Sequence, residues 1–388
     1  MMGTIKIFWE AIKEKGISEE EAIQIGEKHK EILKQYFPEH LSSLSYIAKE
    51  MEIDHSIFLA YWALKEQLLG KLFLEECTSI GVTGVGSYDG QALIAGTSDR
   101  KWSVRASVVC RAPEKGYRYL AVETSQGMIR AMNEKGFCFG RNGVFFLDPK
   151  YEKKGGKDGG ISIEELTLKM IQKCSTVGEA IEMIKDIPRQ PGTWKILTLA
   201  DASGNLVIAE VTPDEFELIE PDRYGWLSIT NHFLSPKFRK YERSSHQEEF
   251  GKCGPSDPPE YSSFCRYKRT LELREMIQEK KADPYMLMKF ISDIKNLDAK
   301  KGVFMSISSH GKKYGTIFCY VMQPVLKTFW YCYGPGDGKI LWKENTWGHF
   351  VPFALPQLEP GQYVTAKGTV SPKYPFPFAR KPSTLISV

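Results

Sequence analysis

Several things are missing from this chain, and each absence removes a class. No stretch reaches the roughly 18–20 consecutive apolar residues of a membrane-spanning helix. The opening residues, Met1 to Lys13, mix Lys and Glu with apolar side chains and do not form the apolar core of a secretory signal. Charge of one sign is scarce. Fifty-two basic against 48 acidic residues leave a net +4, which gives no electrostatic footprint for nucleic acid. Basic pairs such as Lys280-Lys281 and Lys300-Lys301 read as solvated surface. Neither a G-x-G-x-x-G fingerprint nor a Walker loop is present, so nucleotide binding has no support. None of the eight cysteines forms a C-x-x-C pair, the spacing that marks a zinc site. They read as small buried hydrophobes in a reducing cytoplasm. Internal repeats are absent too.

What is present is an ordinary globular composition, 42% hydrophobic and 26% charged, over 388 residues, enough chain to bury a large core. Residues 3–70 read as helical. Ser18 is followed by three glutamates, an N-cap and an acidic first turn that suit the helix dipole. Apolar residues recur at helical spacing to Gln35, where Pro38 is expected to stop the helix. The pattern repeats over Leu41–Met51 and Ile57–Leu69, with Gly70 as a C-cap.

The pattern changes abruptly after Glu76. Thr78–Val82, Ala92–Gly96, Val104–Cys110 and Tyr119–Glu123 are short runs of β-formers, separated by turn signals such as Asp89-Gly90 and Asn142-Gly143. A glycine-rich loop, KYEKKGGKDGG, precedes helices expected at Ser162–Lys173 and Val177–Ile187. Strands follow at Trp194–Ala200 and Leu206–Val211. Gly251–Ser263 reads as a loop, Tyr267–Lys280 and Pro284–Ile294 as helices, and Thr316–Met322, Thr328–Tyr333 and Lys339–Trp342 as strands. Helices and strands in separate blocks imply antiparallel sheets with helices layered outside them.

Chemistry alone does not single out one of the eight cysteines. Resemblance to a known family does. The run CTSIGVTGVGSYDGQALIAGTSDRKW, Cys77 to Trp102, resembles the nucleophile region of the isopenicillin-N acyltransferase family. It is similar, more distantly, to acid ceramidase and the choloylglycine hydrolases. Further patches fall in the family's order: Met132–Gly136 with Gly140–Gly143, Thr230-Asn231-His232-Phe233, Ser263–Arg269, and Gly315-Thr316, Val321-Met322-x-Pro324 and Gly334-Pro335. The resemblance implies an N-terminal-nucleophile (Ntn) hydrolase of α+β class, a four-layer αββα sandwich of two antiparallel sheets between helical layers. It implies self-cleavage between Glu76 and Cys77, giving a helical α chain, 1–76, that stays bound to a core β chain, 77–388, within one structural domain.

The chemistry suits such a precursor. A cysteine thiol titrates near about 8.5 and a free α-amine near about 8, so the two exchange a proton at neutral pH. Once Cys77 is a chain terminus, its own amine can serve as base. The resemblance assigns Asp99 to orienting that amine, with a turn-capping Asp as the bland alternative. It makes Asn231 an oxyanion donor, a contribution worth roughly 3–4 kcal/mol in comparable enzymes. Arg266 either supports the Cys77–Asp99 pair, binds an anionic substrate group, or forms an ordinary salt bridge. Asn142 lines the pocket, adds an oxyanion contact, or is structural. His232 is read as structural.

The sequence departs from the family at three places. Glu76 stands where glycine often precedes the nucleophile, Thr97-Ser98-Asp99 replaces N-W-D, and Gly96 occupies the position where choloylglycine hydrolases carry Arg. The expected activity is cleavage or transfer at a linear amide or acyl thioester carbonyl, without a metal or organic cofactor. The partner is a small acyl amide or a coenzyme A thioester used as substrate. Two alternatives remain open: an N-acyl amidase without transfer activity, and an uncleaved ligand-binding scaffold of the same fold.

Overall fold

The computed structural model describes residues 10, 12–13, 16–69, 76–101, 103–124, 127–144, 147–151, 154–242, 262–277, 280–295, 306–309, 314–334, 350–366 and 385–387. The expected cap at Gly70, residues 251–261 of the expected loop and the strand expected at Lys339–Trp342 lie outside them.

Ahead of the first strand the described residues include α1 (Glu19–Tyr36), α2 (Pro38–Glu50) and α3 (His55–Leu69). Ser18 caps α1, accepting the Glu21 N–H at 3.1 Å. Pro38 does not merely end α1. It opens α2 at its first position, where a missing N–H costs nothing.

Among the described residues, fifteen strands form two sheets. In chain order they are β1 (Glu76–Val82), β2 (Leu93–Lys101), β3 (Ala106–Arg111), β4 (Tyr119–Thr124), β5 (Gly127–Asn133), β6 (Cys138–Gly143), β7 (Lys195–Ala200), β8 (Leu206–Val211), β9 (Phe216–Ile219), β10 (Trp226–Ile229), β11 (Tyr314–Gln323), β12 (Thr328–Tyr333), β13 (Val351–Ala354), β14 (Tyr363–Ala366) and β15 (Leu385–Ser387). One sheet runs β10-β1-β2-β11-β12-β13. The other runs β15-β14-β3-β4-β5-β6-β7-β8-β9. Every pairing is antiparallel.

The remaining helices are α4 (Ile163–Lys173), α5 (Val177–Asp186), α6 (Pro236–Arg239), α7 (Ser262–Ile277) and α8 (Pro284–Ile291). Capping boxes start α4 and α5, Ser162 with Glu165 and Thr176 with Glu179.

Three apolar clusters define four layers. Val108, Leu120 and Ile208 of the nine-stranded sheet meet Ile94, Phe318 and Met322 of the six-stranded sheet between them. The far face of the larger sheet, with Phe139, Leu197 and Ala209, packs against α1–α3, α4 and α5 through residues such as Leu33, Phe37, Phe58 and Leu166. The far face of the smaller sheet, with Ile80, Val82 and Cys319, packs against Leu273 of α7 and Leu287 and Ile291 of α8. This is the expected αββα sandwich.

Two elements differ from expectation. β2 extends through Thr97-Ser98-Asp99-Arg100, which in isolation resembles a turn. Ladders to β1 and β11 on both sides hold it extended, and Asp99 is therefore not a turn cap. α7 begins at Ser262, five residues early. Its opening Ser-Ser-Phe-Cys-Arg lacks a helical apolar pattern because those side chains serve buried polar contacts.

The N-terminal helices are also held by a buried ionic contact. His29 Nε2 of α1 lies 3.0 Å from Glu165 Oε1, with His40 of α2 at 3.4 Å, and His29 Nδ1 is 2.9 Å from the Gly159 carbonyl. Burial disfavours both charges. His29 nevertheless holds Glu165 well below the usual carboxylate range, and Glu165 raises His29 above 6.5. Glu165 thus adds stability above about pH 4.5, and His29 adds stability that fades as pH rises past 6.5 through its raised value. The denaturation midpoint of wild type relative to His29→Gln is expected to be greatest between pH 5 and 6 and to shrink towards pH 9. A difference that does not vary with pH would contradict this reading.

Candidate active site

β1 is paired to β10 only from Ser79 onward, with Ser79 opposite Ile229. Nearer its start, the neighbouring strand has already ended. The Cys77 N–H and C=O, which point to that side, must find other partners. Side chains supply them. The Cys77 N–H donates to Asn231 Oδ1 at 2.9 Å, and Arg266 Nη1 donates to the Cys77 carbonyl at 2.5 Å.

Arg266, on α7, is fully buried and joins the pieces of the site. Its Nη2 donates to Asn231 Oδ1 at 2.8 Å and to Glu76 Oε2 at 3.2 Å. Its Nη1 also reaches Thr78 Oγ1 at 3.0 Å, and its Nε donates to Ser262 Oγ at 3.1 Å. Ser262 in turn donates to Glu76 Oε2 at 2.6 Å. The planar fork suits this divergent set as a lysine could not. Arg266 thus braces the Cys77 strand and forms a salt bridge to Glu76, and among the described residues no hydrogen bond links it to Asp99.

Alternation along β1 sets which side chains meet. Ile80 and Val82 face α7 and α8, and Glu76 and Thr78 share that side. Cys77, Ser79 and Gly81 face the other sheet. Ser79 Oγ donates to Asn142 Oδ1 at 2.9 Å, and a Cβ on Gly81 would meet Leu206 at 2.8 Å. Asn142 Nδ2 donates to the Thr230 carbonyl at 2.9 Å, so Asn142 braces β1 against the Asn231 loop.

Asp99 is the register partner of Glu76, whereas Cys77 is opposite Ser98. Asp99 therefore lies on the α7 side of the sheet, and among the described residues no hydrogen bond joins it to Cys77. Thr316 donates to Asp99 Oδ1 at 2.5 Å, while Oδ2 is buried with no hydrogen-bond partner among the described residues. Burial, with Glu76 adding to it, pushes the carboxyl up to about 7 against the pull of Arg266 and Thr316. Because the folded value exceeds the ordinary 3.8, this group's stabilising contribution is lost as pH rises from about 4 to about 7. Asp99→Asn is expected to raise the denaturation midpoint at pH 8 and not at pH 4, and to slow processing. A lower midpoint at pH 8 would refute a buried, costly carboxylate.

Asn231 offers Cys77 an acceptor in the uncut chain. Its Nδ2 donates to the Gly143 carbonyl at 2.9 Å, so the expected oxyanion donor has one of its two amide hydrogens already committed. His232 is buried, lies 2.8 Å from Ser263 Oγ through Nδ1, and is pushed down to about 3 by burial and by Arg266 and Arg239. It stays neutral, as a structural residue would.

Sequence reasoning assigned no role to Ser262, Thr316, Arg130 or Tyr320. Arg130 is fully buried on β5, its guanidinium 5.2 Å from the centre of the Tyr320 ring, with Nη2 donating to the Thr97 carbonyl at 3.4 Å. Gly96 and Gly140 leave room for that phenol: a Cβ would come within 2.8 Å and 2.6 Å of its oxygen. A sequence signal was available only in these two glycines inside strands. Among the described residues no group of three or more His, Cys, Asp or Glu side chains is placed to hold a metal ion, and no helix is long and apolar enough to cross a membrane.

The family of acyl-coenzyme A:6-aminopenicillanic acid acyl-transferases matches residues 97–337. That span holds Asp99, Asn142, Asn231 and Arg266 and begins after Cys77. Two mutant structures of the conjugated bile acid hydrolase from Clostridium perfringens share the fold. Their TM-scores are 0.52 and 0.51 at 15% identity, over 76% of this chain and 97% of theirs. Penicillin V acylase from Agrobacterium tumefaciens aligns with a TM-score of 0.47 at 17% identity, over 75% of this chain and 91% of its own. Against curated protein sequences the chain has no match.

Proposed function

From the chain's membership of the acyl-coenzyme A:6-aminopenicillanic acid acyl-transferase family, we propose that it is a self-processing cysteine Ntn enzyme that cleaves or transfers acyl groups at linear amide or thioester carbonyls. The observation that carries this is the treatment of the Cys77 nitrogen. It lies where the neighbouring strand has stopped, is held by a side-chain oxygen of Asn231, and has Arg266 on its own residue's carbonyl.

In the precursor, the Cys77 thiol adds to the Glu76 carbonyl carbon. The C–N bond breaks, the nitrogen takes the thiol proton, and a thioester remains. Water opens it, leaving a carboxylic acid on Glu76 and restoring the thiol on a chain with a free α-amine. Asn231 Oδ1, already 2.9 Å from that nitrogen, then accepts a hydrogen bond from the amine. In turnover the amine takes the thiol proton and the thiolate attacks the substrate carbonyl. The tetrahedral adduct expels an amine, or the thiol of coenzyme A, which takes the proton held by the α-ammonium and leaves the acyl-enzyme behind. Water completes hydrolysis; an acceptor amine completes transfer. Arg266 keeps the strand in register throughout, and residues 1–76 stay attached through the apolar contacts of α1–α3.

Intact mass of the purified protein tests processing, and acyl-coenzyme A thioesters against N-acyl amides, each with and without an added amine, test the reaction. Fragments 1–76 and 77–388 and thiol-dependent acyl release are expected. An uncut chain that turns over neither class would leave the scaffold reading in place.

A further inference from the structure

We propose that two buried carboxylates away from Cys77, Glu210 and Glu242, are positioning residues that set where Asn231 sits; the inference rests on reading Cys77 as the nucleophile.

Residues Thr230–Ser235 cross from β10 of the smaller sheet to α6. Ser263 of α7 fastens the first half: Thr230 Oγ1 donates to its carbonyl at 2.9 Å, and the Asn231 N–H donates to its hydroxyl at 2.8 Å. The second half presents three consecutive backbone N–H groups. Glu242 Oε1 accepts from Phe233 at 2.7 Å. Glu210 accepts from Leu234 at 2.5 Å through Oε1 and from Ser235 at 3.2 Å through Oε2. Glu210 is fully buried and Glu242 is 3% exposed. Glu210 stands on β8 in the larger sheet, so the segment carrying Asn231 is tied to both sheets.

Burying two acids side by side is costly unless each is satisfied. Burial pushes Glu242 up to about 8, with Glu210 adding to the shift, against the Phe233 N–H and Arg239. Glu210 is raised as well, by burial, with Glu217 behind it. Glu242 therefore holds a proton at neutral pH, and a glutamine can reproduce its carbonyl oxygen. A core that needed only to be filled would not retain two carboxylates here. Their partners, Phe233 for Glu242 and Leu234 and Ser235 for Glu210, directly follow Asn231 and His232.

Hydrogen exchange in the uncut Cys77→Ala chain reads the position of Asn231 without relying on catalysis. Glu242→Leu is expected to speed exchange at Phe233 and at the residue 77 amide about tenfold, with strands β4 and β5 unchanged. Glu242→Gln is expected to restore protection at both. In the processed enzyme, Glu242→Leu should lower kcat about 100-fold at unchanged KM, and Glu242→Gln should recover it. If Glu242→Leu does not fold, Glu210→Gln serves, because it sets an amide against the Ser235 N–H. Faster exchange at 233–235 with unchanged exchange at residue 77 would overturn the proposal. Absence of processing and turnover in wild type would instead overturn the nucleophile assignment, and the exchange result would still decide the role of the two acids.

Discussion

Cys77→Ala is expected to purify as one 44.1 kDa chain, while wild type yields two pieces joined only by packing. It should also lose turnover by on the order of 10⁴-fold or more, as enzymes do when the attacking atom is removed. The two losses have one cause. The same sulfur first attacks the carbonyl before it and later the substrate. Cys77→Ser separates them in degree. A hydroxyl lacks a thiol's acidity, so processing should slow to hours or days while the fold is kept. Mass spectrometry over time measures the first effect, and acyl release the second. Replacement of any other described cysteine, each buried and none in a disulfide among the described residues, should leave both intact. Full activity in Cys77→Ala would end the proposed mechanism.

Arg266→Ala should be the most destabilising polar substitution in the site. It removes the donors for the Cys77 carbonyl, Thr78 Oγ1, Asn231 Oδ1 and the Glu76 carboxylate together. The Glu76 carboxyl is already raised by burial and loses the attraction of the Arg266 guanidinium. Breaking a buried pair in this way costs about 3–5 kcal/mol. Arg266→Lys keeps the charge but cannot span partners on β1, Asn231 and Ser262 at once. It should retain much of the stability and still cut the processing rate about 100-fold, because the reacting strand shifts. Urea midpoints and processing half-lives of the two variants separate these effects. Equal loss of rate and stability in both would mean that charge alone matters. No loss in either would remove Arg266 from the site.

How much of this was legible beforehand differs by element. The N-terminal helices were readable because Ser18, the glutamates after it and the apolar spacing act within one turn of chain. Strand β8 was placed to the residue, since its apolar run is bounded by turn signals on both sides. β9, β10 and β13 were not seen. Each has four residues, too few for a period to register. The early start of α7 was hidden because Ser262, Ser263 and Arg266 point inward to polar partners, which removes the apolar pattern that would mark a helix.

Local sequence determined the layers. Periods of two and near four residues, caps and turns require only neighbouring chain, and the family resemblance pointed to Cys77, Asp99, Asn231 and Arg266. Tertiary structure alone decided what those residues do to one another. Asp99 falls on the α7 face because it pairs with Glu76 and not with Cys77, and side chains alternate across a sheet. Asn231 and Arg266 meet at the Cys77 backbone because β10 ends two residues short, leaving an N–H and a carbonyl that burial forces to be satisfied. Register and strand ends are set between separate segments, as in the pairing of Glu76 with Asp99 and the contact of Cys77 with Asn231, where no pattern along either segment can specify them.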